Sequence, residues 1–307
     1  MPISMVRKAA LALAGACLLP LLGSCATPAD AGATTEQRPA DAVPGPALWV
    51  VRDEDTTIYL FGTVHVLPEG VEWFDTRIAG ALSSADELVT ELNMDNPEAI
   101  SGSIIAAAPL PEGQNLRELM TPQNRVEFET ALTSIGLPPN ALDRYEPWYA
   151  AIVLSLGPLQ NAGFDPATGV ENALAERAAG KRHDALETIE QQVQMFDGME
   201  LEHQLNYVDE AAEGVADVLT TVETMVSQWR AGDVDQLGQT LNDDMDDAYL
   251  VNRLLINRNM NWAGWIERRL AQPGRVFVAV GAGHLAGEGS VQDQLRTRGL
   301  TVTRIWK

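Results

Sequence analysis

Apolar runs of strand length lie at both ends of the folded part of this 307-residue chain, and a long helical region separates them. Six predicted strands occur in all, at residues 48–52, 56–61, 87–92, 183–188, 275–280 and 300–305. Between them, apolar residues recur at helical spacing from residue 97 to about 163 and from 189 to 270. We therefore predict an α/β fold, with a mixed sheet core built from N- and C-terminal strand segments and a large helical insertion.

The balance of charge excludes one class of partner. Apolar residues make up 46% of the chain and charged residues 21%, which is typical of globular proteins. Asp and Glu number 43 against 21 Lys and Arg, so the net charge is −22. Because this field repels phosphate backbones, we expect no nucleic-acid partner.

The first 24 residues have the features of a signal peptide. Arg7 and Lys8 precede an apolar stretch over residues 9–22, which is too short to span a bilayer comfortably. The stretch ends in Leu22-Gly23-Ser24-Cys25, which resembles the lipobox of bacterial lipoproteins. We predict lipidation at Cys25, and an ordinary secretory signal cut near Ala26 is the alternative.

Residues 25–46 are predicted to be the lipidated cysteine and a flexible tether, because they contain no aromatic residue and many Ala, Thr and Pro. The α/β domain is predicted over residues 47–307. Ala26, rather than an aspartate, follows Cys25, so we expect an outer-membrane anchor that faces the periplasm. The lipid would then be the protein's sole contact with the membrane.

Two histidines follow apolar strands in the form Gly-x-x-His. Gly62 to His65 follows the strand at 56–61, and Gly281 to His284 follows the strand at 275–280. Open α/β sheets bind their ligands at the carboxyl ends of the strands, so both histidines are candidates for one site. The same spacing ends at His183, but there the glycine is predicted to cap a helix. The alternative for each histidine is a hydrogen-bonded structural role.

Two glutamates come at the ends of predicted strands. Glu91 lies near the end of the run at 87–92, and Glu187 has the same setting in the run at 183–188. A carboxylate there is costly to bury unless it is paired, protonated or bound to a metal. Two imidazoles and a carboxylate suffice to bind a divalent ion with an open, water-bearing position. Carboxylates that face water on an edge strand are the alternative.

Arg258 and Asn259 lie in a predicted helix with one apolar face. That face contains Arg258 together with Val251, Leu255, Trp262, Trp265 and Ile266. Asn259 borders it. Because a buried guanidinium requires an anionic partner, we expect Arg258 to pair with Glu91, Glu187 or a substrate oxyanion. A purely structural Arg–Glu pair is the alternative.

In these residues the sequence resembles the TraB/GumN family, to which the Tiki membrane proteases are similar. The resemblance rests on six segments in the family's order: Phe61-Gly62-Thr63-Val64-His65, Glu91, Gly163-Phe164-Asp165, Leu186-Glu187-Thr188, Arg258-Asn259 and Val280-Gly281-Ala282-Gly283-His284-Leu285. It implies an α/β core shared with erythromycin-esterase-like and haem-binding ChaN-like proteins. The loop after Asp165 departs from the family pattern, so the resemblance does not give Asp165 a role.

For the Tiki branch, the resemblance implies a metal-dependent hydrolase site built from the paired Gly-x-x-His motifs and a glutamate. We therefore predict a lipid-anchored, metal-dependent hydrolase that acts on peptides or small molecules. His65 and His284 would bind a divalent metal ion, with Glu91 as third ligand or as the base for the bound water.

The remaining candidate residues are given supporting roles. Arg258 and Asn259 would stabilise the developing oxyanion, and Glu187 would orient one of these groups. The alternative function is a binding protein that sequesters a peptide, a haem or another small ligand without turnover.

Overall fold

A computed structural model of the chain describes residues 39, 43–243 and 247–306. The predicted signal peptide, Cys25 and nearly all of the tether lie outside the described residues. No helix in the described ranges is both long and apolar enough to cross a bilayer.

The predicted α/β fold with a mixed sheet is confirmed. The strands in the described part of the chain are Leu48–Arg52 (β1), Thr56–Thr63 (β2), Leu67–Pro68 (β3), Glu87–Thr90 (β4), Phe164–Asp165 (β5), Arg182–Ala185 (β6), Gly274–Gly281 (β7) and Val302–Arg304 (β8). Six of them form one sheet in the order β6-β4-β7-β2-β1-β8, and β3 pairs with β5. Strands β6, β4, β7 and β2 are parallel, whereas β1 is antiparallel to both of its neighbours.

The two long strands at the centre of the sheet bring the ends of the chain together. Strands β2 and β7 pair in parallel, so that Thr63 lies opposite Gly281. Both strands are buried at their carboxyl ends, as expected for a sheet covered on both faces. The two Gly-x-x-His segments therefore leave the sheet side by side at its carboxyl edge.

Some strand ends differ from the sequence prediction. Strand β4 stops at Thr90, which makes Glu91 the first residue beyond it. Strand β6 stops at Ala185 rather than at residue 188, because Thr188 caps the next helix in a capping box with Gln191. The short β3–β5 pair was not predicted, since two-residue strands carry no sequence periodicity.

Helices cover both faces of the sheet. They are Thr76–Ser84 (α1), Pro97–Ala107 (α2), Leu116–Leu119 (α3), Pro122–Ser134 (α4), Pro147–Asn161 (α5), Val170–Arg177 (α6), Ile189–Asp197 (α7), Leu201–Gly214 (α8), Val218–Ala231 (α9), Val234–Asp243 (α10), Ala248–Val251 (α11), Asn257–Leu270 (α12) and Val291–Thr297 (α13). The predicted helical region at 189–270 is thus a series of helices. A π-helical segment, Asn252–Ile256, joins α11 to α12.

Successive side chains of β2 point to opposite faces of the sheet, and each face packs against a different part of the core. Phe61 faces the large cluster formed with the helical insertion, whereas Ile58 and Leu60 face a smaller cluster with α12 and α13. Helix α12 thus packs against the sheet with one face. This packing directs Arg258 towards the carboxyl edge, where the two histidine segments begin.

Candidate active site at the carboxyl edge of the sheet

His284 is completely buried and hydrogen-bonded through both ring nitrogens. Its Nδ1 donates to Oδ1 of Asn259 over 2.5 Å, and its Nε2 accepts from Nη1 of Arg258 at 3.1 Å. The Asn259 amide is itself oriented, because its Nδ2 donates to the carbonyl of Gly289 at 2.9 Å. Burial, reinforced by the charges of Arg258 and His65, holds the pKa of His284 well below its usual value. His284 is therefore a neutral imidazole with one fixed tautomer.

Arg258 is only 4% exposed and uses all five of its N–H groups. Its Nε and Nη2 each donate to one carboxylate oxygen of Glu187 at 2.8 Å, and Nη2 also donates to Glu91 at 2.5 Å. Nη1 donates to the carbonyl of Leu254 at 3.2 Å in addition to His284. The predicted burial of Arg258 against carboxylates close to a histidine is confirmed.

Glu187 and Glu91 are both held by further donors. Trp262 Nε1 donates to Glu187 Oε1 at 3.1 Å, and the Trp262 ring lies 4.6 Å below the Arg258 guanidinium. Glu91 Oε1 accepts from the backbone N–H of Gly281 at 2.7 Å. The structure thus brings five of the six predicted site residues, all except His65, into one hydrogen-bonded network, which we call the Arg258 network: Glu91, Glu187, Arg258, Asn259 and His284.

His65 forms a second pair close by, with a residue that sequence reasoning missed. Its Nδ1 lies 2.6 Å from Oε1 of Glu171, and the His65 side chain is 23% exposed. Burial alone would raise the pKa of Glu171, but the charge of His65 and its hydrogen bond outweigh burial and leave the pKa below its usual value. Glu171 is therefore a buried carboxylate that orients the imidazole.

The backbone around Gly169 places Glu171 against His65. The N–H of Val170 donates to the carbonyl of Val64 at 3.0 Å, which joins the start of α6 to the histidine loop. A Cβ on Gly169 would lie 2.3 Å from the carbonyl oxygen of His65, so no side chain fits there. Asp165 is exposed and caps the turn at Pro166–Thr168 by accepting from Ala167 N at 2.8 Å. Its role in this structure is to shape that turn.

Two openings border the site. The first, which we call the His65 pocket, is an apolar pocket of about 420 Å³ up to its mouth, between the ends of β2 and β7 and helices α9 and α10. His65 lines it together with Val64, Met225, Val226, Trp229 and Leu237. The second is a polar groove between α7 and α12, where Glu187, Arg258 and Trp262 form one end. The Arg258 network thus borders the groove, and His65 borders the pocket.

The predicted metal ligands do not fit a metal ion in this arrangement. In His284, Nδ1 carries its proton and the lone pair of Nε2 is directed at the Arg258 guanidinium. A cation at that nitrogen would lie beside a permanent positive charge. Both Glu91 oxygens accept hydrogen bonds from the protein. No group of three or more His, Cys, Asp or Glu side chains is placed to hold a metal ion in the described ranges.

A buried histidine, a partly exposed histidine held by a carboxylate and a buried Arg–Glu network thus meet at the carboxyl edge of the mixed sheet, which defines an α/β protein with a candidate active site. The TraB/PrgY/gumN family profile matches residues 47–304, and the chain belongs to this family.

Several relatives match most of the chain. A functionally uncharacterised protein of Treponema pallidum (strain Nichols) is 25% identical over 269 residues, covering 82% of this chain and 80% of its own length. Escherichia coli (strain K12) YbaP, also uncharacterised, is 26% identical over 261 residues, which is 82% of this chain and 92% of YbaP.

The zebrafish (Danio rerio) protein named Metalloprotease TIKI1 is a more distant relative. It is 24% identical over 309 aligned residues, which is 83% of this chain and 62% of TIKI1. No solved structure matches the chain.

Proposed function

We propose that the protein is a hydrolase of peptide bonds that works at the carboxyl edge of the sheet, with His65 as the base that activates water. One observation carries the proposal: His65 is partly exposed in an apolar pocket while its Nδ1 contacts the buried Glu171 carboxylate. A carboxylate at Nδ1 fixes the imidazole tautomer and leaves Nε2 as the proton acceptor. The distant relationship to a protein named a metalloprotease supports the choice of reaction.

In this mechanism, water attacks the carbonyl carbon of the substrate while Nε2 of His65 takes a proton from it. The tetrahedral adduct then collapses, the C–N bond breaks, and the imidazolium returns the proton to the leaving amine. Glu171 stabilises the imidazolium that exists between the two steps. The apolar wall of the His65 pocket keeps bulk water away from the reacting groups.

We assign Arg258 and Asn259 to positioning rather than to direct contact with the oxyanion. Every N–H of the Arg258 guanidinium already has an acceptor, and the Asn259 amide is used on both sides. Their role is to hold His284 and, through Glu91, the backbone of Gly281. The predicted oxyanion contact would require these bonds to break.

A divalent metal ion at His65, Glu91 and His284 stays a prediction drawn from family resemblance. Binding there would require Arg258 to release both Nε2 of His284 and Oε2 of Glu91. Catalysis by His65 and Glu171 as proposed involves no metal ion in any step.

The proposal is tested with purified protein, a defined peptide library and mass-spectrometric detection of products. The variants are His65→Ala and Glu171→Gln, with His183→Ala as matched control because His183 has the Gly-x-x-His spacing and lines neither opening. We expect His65→Ala to lower turnover by about 10²–10⁴-fold and His183→Ala to leave it unchanged.

Two outcomes would overturn the proposal. One is unchanged turnover in His65→Ala. The other is tight, stoichiometric binding of a peptide or haem to wild-type protein without any product, which would support the sequestering function.

We further propose that Cys25 carries the lipid and that the protein is anchored in the outer membrane, facing the periplasm. The support is the sequence around Cys25 alone. Cys25→Ser should leave the precursor uncut by lipoprotein signal peptidase, and globomycin should do the same to wild type. Normal cleavage and release of Cys25→Ser would favour an ordinary secretory signal.

A further inference from the structure

The polar groove between α7 and α12 is lined by side chains suited to bind an extended polar chain. Helix α12 contributes Asn257, Asn261, Gly264 and Arg268, which recur at i, i+4, i+7 and i+11 on one helical face. Helix α7 contributes Gln191 and Gln194 on the opposite wall. The groove encloses about 1510 Å³ up to its open mouth. Amide side chains on both walls can donate to and accept from a peptide backbone.

Positive charge collects in this groove although the protein carries a net charge of −22. Four arginines line it: Arg253, Arg258, Arg268 and Arg298. Arg258 is neutralised by Glu91 and Glu187, and Arg298 pairs with Glu267 at 3.0 Å. Arg253 donates to two backbone carbonyls, those of Met195 and Gln194. Among the ion pairs of the described residues, none involves Arg253 or Arg268.

Two of these guanidinium groups converge over a glycine. A Cβ on Gly264 would lie 3.4 Å from Nη1 of Arg268 and 3.9 Å from Nη2 of Arg298. Both groups therefore reach the same space above α12, which the missing side chain leaves open. Glu267 balances the charge of Arg298, whose Nη2 also donates to the carbonyl of Met260 at 3.3 Å, which leaves the charge of Arg268 for a bound anion to balance. A carboxylate is a favourable match, because it accepts the planar, forked N–H groups of arginine.

The groove has a defined length. Glu187 and Arg258 form one end, and Arg268 and Arg298 form the other. Ten residues of α12 separate Arg258 from Arg268, which corresponds to about 15 Å along the helix axis. Four to five extended residues span about that distance.

We propose that this groove binds the carboxyl-terminal end of a peptide, with the terminal carboxylate between Arg268 and Arg298 and about four to five residues lying along α12. As a statement about substrate it rests on the proposed function, whereas the binding itself does not depend on turnover. The groove then selects chain ends, because an internal segment or an amidated end lacks the negative charge that would balance Arg268.

The test compares pentaalanine with a free carboxylate and pentaalanine amide, titrated calorimetrically into the full chain at low salt. We expect the free acid to bind wild type at least tenfold more tightly than the amide. Arg268→Gln should bring the two affinities close together. Arg125→Gln is the matched control, because Arg125, like Arg268, is an exposed arginine on a helix and it lies outside the groove. It should preserve the preference.

Equal affinity of wild type for acid and amide would overturn the groove assignment. So would a preference that survives Arg268→Gln, or no binding of either peptide at millimolar concentration. Failure of the proposed function looks different: no peptide in the library is cleaved, yet the preference for the free acid persists in wild type. Turnover that requires His65 without any preference for the free acid overturns only the groove.

Discussion

His284 donates Nδ1–H to Asn259 Oδ1 over 2.5 Å, and the Asn259 amide is locked in turn by the carbonyl of Gly289. This relationship fixes His284 as neutral, since Nε2 accepts from Arg258, a group that can only donate. The protonation of His284 is therefore coupled to folding.

The first prediction follows from that coupling. The pKa of His284 is lowered in the fold from a reference value of 6.5, so below about pH 6.5 the unfolded chain binds a proton that the native protein does not. The contribution of His284 to the free energy of unfolding is therefore complete above about pH 6.5, and the free energy of unfolding falls as the pH decreases below that value. Each additional proton that the unfolded chain binds lowers the free energy of unfolding by about 1.4 kcal/mol per pH unit.

The measurement is urea unfolding at intervals from pH 7.5 to 5 for wild type and His284→Gln, whose amide can keep both hydrogen bonds. The free energy of unfolding of wild type should fall more steeply than that of the variant. Parallel curves would show that His284 accepts a proton inside the folded protein.

The second prediction concerns the stability provided by the Arg258 network. Arg258→Ala leaves the buried Glu91 and the partly exposed Glu187 without their shared cation, which should cost about 3–5 kcal/mol. Arg258→Lys should recover only part of this loss, because an ammonium cannot make the two-pronged contact with Glu187. Unfolding by urea measures both variants.

The exposed Arg125 again provides the control. Arg125→Ala removes the same side chain from a surface ion pair, and we expect a change of less than about 1 kcal/mol. If Arg258→Ala lowered the free energy of unfolding by as little as Arg125→Ala does, that result would contradict the burial and pairing of Arg258.

The third prediction tests how Glu171 reaches His65. Gly169→Ala forces a methyl group into the carbonyl of His65, so it should cost about 1–3 kcal/mol in stability and displace the histidine loop.

Glu171→Gln should retain the fold but lower turnover and alter its pH profile, because the imidazolium loses its carboxylate.

Gly102→Ala provides the matched control for the glycine substitution. Nothing lies within 4 Å of the position its Cβ would occupy in α2, and alanine favours the helix. We expect it to be neutral or stabilising by about 0.5–1 kcal/mol. If Gly169→Ala cost less stability than predicted and left turnover unchanged, the backbone at Gly169 would not be what positions His65.

The fourth prediction concerns metal content. Since Nε2 of His284 and both Glu91 oxygens already have protein partners, we expect purified wild type and the folded His65→Ala/His284→Ala variant to contain equal amounts of divalent metal. Elemental analysis after gel filtration measures this. A stoichiometric ion in wild type that the variant lacks would instead show that Arg258 moves aside and that the sequence-based ligand set is right.

Much of the site could be predicted from local sequence pattern. The buried strands ending at Gly62 and Gly281 are continuous apolar runs, and their shared context indicated that His65 and His284 lie at one edge of the sheet. Helical spacing placed Arg258 on a buried face, and burial of a guanidinium required the carboxylates that the structure supplies.

Glu171 could not be predicted in the same way. It is one of 43 acidic residues, and it lies at the start of a short helix far along the chain from His65. Its position depends on a tertiary contact between Val170 and Val64, which leaves no periodic signal. The one local indication is Gly169, a glycine directly before a helix. Likewise, the packing of the helical insertion depends on contacts among many helices that share similar apolar faces.

The π-helical segment before α12 lets the chain hold an additional residue without turning Arg258 away from the site. The N–H of Asn257 bonds to the carbonyl of Asn252, five residues back, so this turn holds one more residue than an α-helical turn would. Each residue added to or removed from a helix rotates everything beyond it by about 100°. Because the π-helical turn already accommodates one such residue, deleting one residue from Asn252–Ile256 would convert it into an α-helical turn and keep Arg258 directed at Glu187. During evolution of this helix, the loss of one residue is therefore easier to accommodate in this segment than in the α-helical turns that flank it.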